Sequence, residues 1–150
     1  MIDVAVIALL SDVQDGLMTT GQLRQIGVDR SSQSRRAAQG VLPRVHRGVW
    51  CLVGAPTTWK QQVLAATLVG GSPRPAASHR SALRLNGLRS DSAVEVSIAY
   101  PAVRQIDGVV IHLSIDRVDA DLVEIDRIRS TSVYFGCSDV GRFGADFSAA

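Results

Sequence analysis

A change of hydrophobic period at Gly40 constrains the fold of this chain more than any other feature. Ahead of it, apolar residues recur at helical spacing and glycines interrupt them: Val6, Ile7, Leu10 and Val13 before Gly16, then Leu23 and Ile26 before Gly27. This predicts one helix over 4–13 and a second from Gly21 to Ile26, capped by Thr19 or Thr20. Asp29 caps a third, which runs to Gln39 and stops at Gly40. Behind Gly40, Leu42–Val45 and Val49–Val53 read as two strands joined at His46-Arg47-Gly48, with Pro43 confining the first to a sheet edge. Three short helices with a glycine turn between the last two, followed by a small hairpin, form the plan of a winged helix-turn-helix.

The break Gly54-Ala55-Pro56 sets the first expected boundary, giving a DNA-binding domain over 1–56. Thr57 or Thr58 then caps a helix from Trp59 to Leu68, closed by Gly70-Gly71-Ser72-Pro73. Ser78 caps a shorter helix through Leu85, ended by Asn86-Gly87. Strands follow at Val94–Ile98, Val109–Leu113 and Val123–Ile125, with turn signals at Tyr100-Pro101 and Asp107-Gly108. The expected class is α+β: the winged helix-turn-helix, then a small helix-plus-antiparallel-sheet domain over 57–133. Residues 134–150 form an atypical tail, because all three phenylalanines fall after position 133. No apolar run approaches the ~20 residues of a bilayer crossing, and no signal peptide is visible. A cytoplasmic protein is expected.

Charge is distributed unevenly. The window from Arg24 to Arg47 holds Arg24, Arg30, Arg35, Arg36, Arg44 and Arg47 against the single acid Asp29, whereas the whole chain nets only +2. The stretch from Asp107 to Asp126 is the reverse, with Asp107, Asp116, Asp119, Asp121, Glu124 and Asp126 facing Arg117. A single lysine, Lys60, among 16 cationic residues reflects a general preference for arginine and does not account for the clustering. A basic front half suits an anionic partner.

A step of 100° per residue groups Gln33, Arg36 and Ala37 on one side of the third helix, and Ser31, Ser34, Arg35 and Ala38 on the other. With the first side packed inward, the second faces a major groove. Arg35 is placed to bond guanine edges, and Ser31 or Ser34 to reach bases or phosphates. Arg30, at the helix start, and Arg44, His46 and Arg47, on the hairpin, are expected to neutralise phosphates, helped by the partial positive charge of the helix N-terminus. Solvated arginines on a small bundle are the plainer alternative; the turn glycine and following hairpin weigh against it.

Other residues carry less. Cys51 and Cys137 have no metal-ligand spacing and read as reduced thiols, a long-range disulfide being the alternative. Three histidines, His46, His79 and His112, without a Cys/His cluster argue against a structural zinc, and no metal or cofactor is expected. Ser78 and His79, adjacent at a helix start, point apart and are badly placed as a nucleophile–base dyad. The acidic segment lacks a calcium-loop pattern and reads as a solvated loop or a docking site for a partner. Trp50 and Trp59 read as core anchors, and Gly70-Gly71 lacks the residues of a phosphate loop. The chain is expected to be no enzyme.

The stretch TTGQLRQIGVDRSSQSRRAAQGVLPRVHRGVW resembles the N-terminal winged-helix domain of AbiE-type antitoxins, in particular their actinobacterial branch. TWKQQVLAATLVGG, AASHRSALRLNGL, VVIHLS and VDADLVEIDRIRSTS extend the likeness from Leu9 to Ser132. The resemblance implies an antitoxin that binds operator DNA, represses its own operon and counters a nucleotidyltransferase-like toxin, with the second half its α/β portion. Members of that family usually carry bulky apolar residues where Gln33 and Ala37 stand, and a different helix after Ser132. Many relatives continue into a restriction-endonuclease-like nuclease domain, so a truncated product, or the regulatory front of a protein that lost its nuclease, is one alternative. A protein-binding module without DNA is another. The oligomeric state stays open, a dimer included.

Overall fold

Short strands alternate with glycine-terminated helices in the first part of the chain, and each boundary has a local cause. The structure is a computed structural model that describes residues 5, 8, 12, 14–70, 74–99, 105–114 and 122–132. It divides into two units, Met1–Ser72 and Pro73–Ala150. The helix expected over 4–13 lies mostly outside the described residues; Ala5, Ala8 and Asp12 are helical. The tail over 134–150 lies wholly outside them.

The first unit runs β1 (Leu17–Thr19), α1 (Thr20–Gln25), α2 (Arg30–Ala38), β2 (Arg44–His46), β3 (Val49–Cys51) and α3 (Trp59–Leu68). Thr19 caps α1 in a capping box: its hydroxyl accepts from the Gln22 amide at 3.2 Å, while Gln22 Oε1 accepts from the Thr19 amide at 2.8 Å. Gly27 ends α1 at φ +86°, which lets the Val28 amide reach back to Leu23 and the Gly27 amide to Arg24. That bond pair aims Val28 and Leu23 into one apolar cluster with Met18, Leu42 and Trp50.

β3 is the central strand, paired antiparallel with β1 (Met18 opposite Trp50) and with β2 across a bulge between Arg44 and His46. Pro43 therefore precedes an edge strand, as its missing N–H requires. β1 itself was not legible: three residues without alternation carry no strand signal. Thr20 links helix to hairpin twice, its amide donating to Gly48 O at 2.9 Å and its hydroxyl accepting from Trp50 Nε1 at 3.0 Å. Thr58 caps α3, and the side chain of buried Gln61 donates to Asp15 O at 2.6 Å, fastening α3 beside β1. The division of the chain thus falls after α3 and not at Gly54–Pro56. The Gly/Pro signal marks a loop inside the unit, and Gln61 supplies a tie no spacing reveals.

The second unit runs β4 (Ala76–Ala77), α4 (His79–Leu85), β5 (Glu95–Ala99), β6 (Val110–Ser114), β7 (Leu122–Ile125) and β8 (Ile128–Thr131). Its sheet has the order β6-β5-β4-β8-β7, with β5–β6 and β4–β8 parallel and the other two pairs antiparallel. The antiparallel sheet expected from sequence is therefore corrected to a mixed one. Periodicity identifies strands but not their direction, and β6 pairs parallel to β5. The β7–β8 hairpin turns at Asp126-Arg127, both at positive φ (50° and 66°), in place of the usual Asn-Gly, so the sequence carries no turn signal for β8.

Two local expectations at α4 are corrected. Ser78 occupies the cap position but makes no side-chain capping bond, and its Oγ lies 3.0 Å from His79 Nδ1. The adjacent pair does meet, because His79 adopts φ +50°. Ser78 is fully buried, so this contact offers no exposed nucleophile.

Because Trp50 fills the first unit's apolar cluster and bonds Thr20, Trp50→Ala is expected to lower unfolding free energy by about 3–5 kcal/mol in denaturant titration. Trp50→Phe keeps most of the apolar contact and forfeits the hydrogen bond, about 0.5–1.5 kcal/mol. A loss below about 1 kcal/mol for the alanine variant would contradict the role given to this residue.

Candidate nucleic-acid interface

The burial of α2 follows its sequence pattern. Gln33 is fully buried and Arg36 and Ala37 half-buried, whereas Ser31, Ser34, Arg35 and Ala38 are exposed. Ala37 packs on the cluster of Met18, Leu23, Val28, Leu42 and Trp50, so that cluster decides which side of α2 meets solvent. Arg30 is exposed on the first turn, and Arg44 and Arg47 on the hairpin; His46, between them, is half-buried. Among the described residues, Arg24, Arg30, Arg35, Arg44 and Arg47 enter no ion pair. Exposed guanidinium groups without a protein carboxylate keep all their donors for an outside anion.

The N-terminus of α2 differs from expectation. Asp29 Oδ1 accepts from the Ser32 amide at 2.7 Å and from Ser31 Oγ at 3.0 Å. Backbone and side-chain bonds from Ser32, then the bond from Ser31 and the charge of Arg35, hold this carboxyl below its usual range. A carboxylate therefore already occupies the positive end of the helix, which is closed as a phosphate seat. The Ser31 hydroxyl has spent its proton on Asp29 and keeps only acceptor capacity. Arg30, Ser34 and Arg35 remain the exposed side chains of α2 with donors to offer.

Beneath the face, Gln33 Nε2 donates to Val28 O at 2.9 Å, while its Oε1 is buried without a partner. The position is half satisfied, which explains how a glutamine is tolerated there. Neither that bond nor the β1–β3 pairing had a sequence signal. The remaining candidates are dispersed: Cys51 is a free thiol whose burial pushes its pKa up, with the bond from Gln61 acting against that. Cys137, Asp116, Asp119 and Asp121 lie outside the described residues.

Residues 5–53 match a family model described as a transcriptional regulator, AbiEi antitoxin. That segment spans the strands, α1 and α2 just described, less than half of the chain, and it supports an AbiE-type antitoxin family and a regulatory antitoxin role. None of the curated proteins compared with the chain matches it. No helix among the described residues is long and apolar enough to cross a membrane.

Two outcomes test the seating of α2. Gln33→Leu removes an orphaned acceptor worth about 1–3 kcal/mol and forfeits a hydrogen bond worth about 0.5–1.5 kcal/mol. Stability is expected to stay level or rise, and a drop beyond about 2 kcal/mol would show that Oε1 has a partner. The depressed carboxyl of Asp29 stabilises the folded state fully above its ordinary 3.8, and this contribution disappears as pH falls through the lower folded value. Asp29→Asn, which keeps a capping acceptor but no charge, is therefore expected to flatten the acid limb of a stability–pH curve, being less stable than the unaltered protein near neutrality and converging with it in acid.

Proposed function

We propose that residues 17–51 form a winged helix-turn-helix that binds duplex DNA, and that the chain is a non-catalytic transcriptional regulator of AbiE antitoxin type. The carrying observation is the exposed face of α2, with Arg30 and Arg35 unpaired on it and Arg44 and Arg47 unpaired on the adjoining hairpin. The strand order β1-β3-β2 around two capped helices supports the reading, since it makes β2–β3 a wing following the helix pair.

In this reading α2 lies in the major groove. Arg35 donates two bonds to guanine O6 and N7, and Ser34 reaches a neighbouring base or phosphate. Ser31 accepts from a base amino group, its own proton being held by Asp29. Arg30, Arg44, His46 and Arg47 neutralise phosphates on either side and set the register without reading sequence. Asp29 repels phosphate at the tip of α2 and so narrows the docking angle. The target is the chain's own operator, and the family likeness extends the role to neutralising a nucleotidyltransferase-like toxin in the cytoplasm.

Gel shifts on the DNA upstream of the coding sequence, against scrambled DNA of equal length, test this. Affinity is expected to fall with a log–log salt slope of about −0.9 per neutralised phosphate. Arg35→Ala is expected to relax preference at one base position by about 1–3 kcal/mol, whereas Arg44→Ala weakens all sequences alike and reduces the slope by about one. Equal affinity for the scrambled duplex discards operator recognition.

A further inference from the structure

The register of the second unit gathers three side chains that lie far apart in sequence. β5 and β6 pair in parallel with Ser97 opposite His112, and Glu95 lies two residues from Ser97 on the same face. The Ser78 amide donates to Glu95 O at 3.0 Å, which sets His79 at the same level. The potential ligand atoms of His79, Glu95 and His112 all lie within 4.8 Å of one another. His112 Nε2 is 3.2 Å from Glu95 Oε2, and the two imidazole rings stack with centroids 3.6 Å apart and planes 19° from parallel.

We propose that His79, Glu95 and His112 bind a borderline divalent cation, of which zinc is the natural probe. The chemistry of the set fits: two imidazoles and one carboxylate, with a position left for water, form a three-ligand zinc arrangement. Metal–ligand arms of about 2.0–2.2 Å in a tetrahedron separate ligand atoms by roughly 3.3–3.6 Å, so the 3.2 Å His112–Glu95 spacing already approaches coordination. Supporting groups are in place as well. Arg80 Nε lies 3.3 Å from Glu95 Oε1, which leaves Oε2 for the ion, and Ser78 Oγ holds His79 through Nδ1.

A purely structural ion pair accounts for only part of this. Arg80 already supplies a countercharge to Glu95. The cluster adds an imidazole held at φ +50°, a backbone region that non-glycine residues seldom adopt, and lays it face to face on a second imidazole. His79 and Glu95 are buried and His112 has a side-chain exposure of 27%, so the cluster is enclosed without being sealed.

The inference is independent of DNA binding and is tested on the full chain, stripped with chelator, by titration with zinc and by the visible spectrum of the cobalt(II) form. One ion per chain is expected, with a tetrahedral cobalt spectrum. His112→Ala and Glu95→Gln should each weaken binding by at least about 100-fold, and Ser78→Ala by about tenfold as an outer partner. The Cys51→Ser/Cys137→Ser double variant should retain the site. In the unaltered protein, saturating zinc should shift the imidazole nitrogen resonances of both His79 and His112, a readout that does not rely on the variants folding. Absence of stoichiometric binding, binding that disappears with the cysteines, or zinc that leaves both histidine resonances unmoved overturns the proposal.

Discussion

The indole of Trp50 carries the first unit. Its ring closes the cluster of Met18, Leu23, Val28 and Leu42, and its N–H reaches the Thr20 hydroxyl thirty positions back along the chain. Both contacts are needed, because a tryptophan buried without a partner for its N–H would lose what its apolar area contributes. With the indole fixed, β3 aligns between β1 and β2, and Thr20 takes the turn carbonyl of Gly48. α2 then has one surface on which Ala37 and Gln33 can pack. The outward placement of Ser34 and Arg35 follows from that inward constraint.

Electrostatics within this unit work in two senses. The arginines are left without carboxylates, while the one acid of the basic window is consumed by capping α2. The cap secures the helix and removes its end as an anion seat, so attraction for an anion resides in side chains. The match of residues 5–53 to a regulator family concerns this same segment.

The second unit uses its polar residues differently. Glu95 and Ser97 stand at buried positions of β5, although alternation with Val94, Val96 and Ile98 would place them on a solvent-facing side. Burying a carboxylate is tolerable only with compensating partners, and two neighbouring elements supply them: Arg80 and His79 of α4, and His112 of β6. A mixed sheet is what makes this convergence achievable, since parallel pairing of β5 with β6 sets His112 beside the Glu95 face.

Much of the architecture was legible because its causes are local. The caps at Thr19, Asp29 and Thr58, the stop at Gly27, the edge position after Pro43 and the two faces of α2 all depend on bonds or periodicities spanning a few residues. The clustering of arginine is likewise a property of the chain itself. What only tertiary structure decided involves partners distant in sequence: the Trp50–Thr20 bond, the attachment of α3 through Gln61, and the meeting of His79 with Glu95 and His112. β1 and β8 belong here too, since three or four residues become a strand only when a neighbour offers its free edge. Local hydrogen bonds are written in spacing, whereas register and strand direction are set by how long connections close, a choice made by the packed whole.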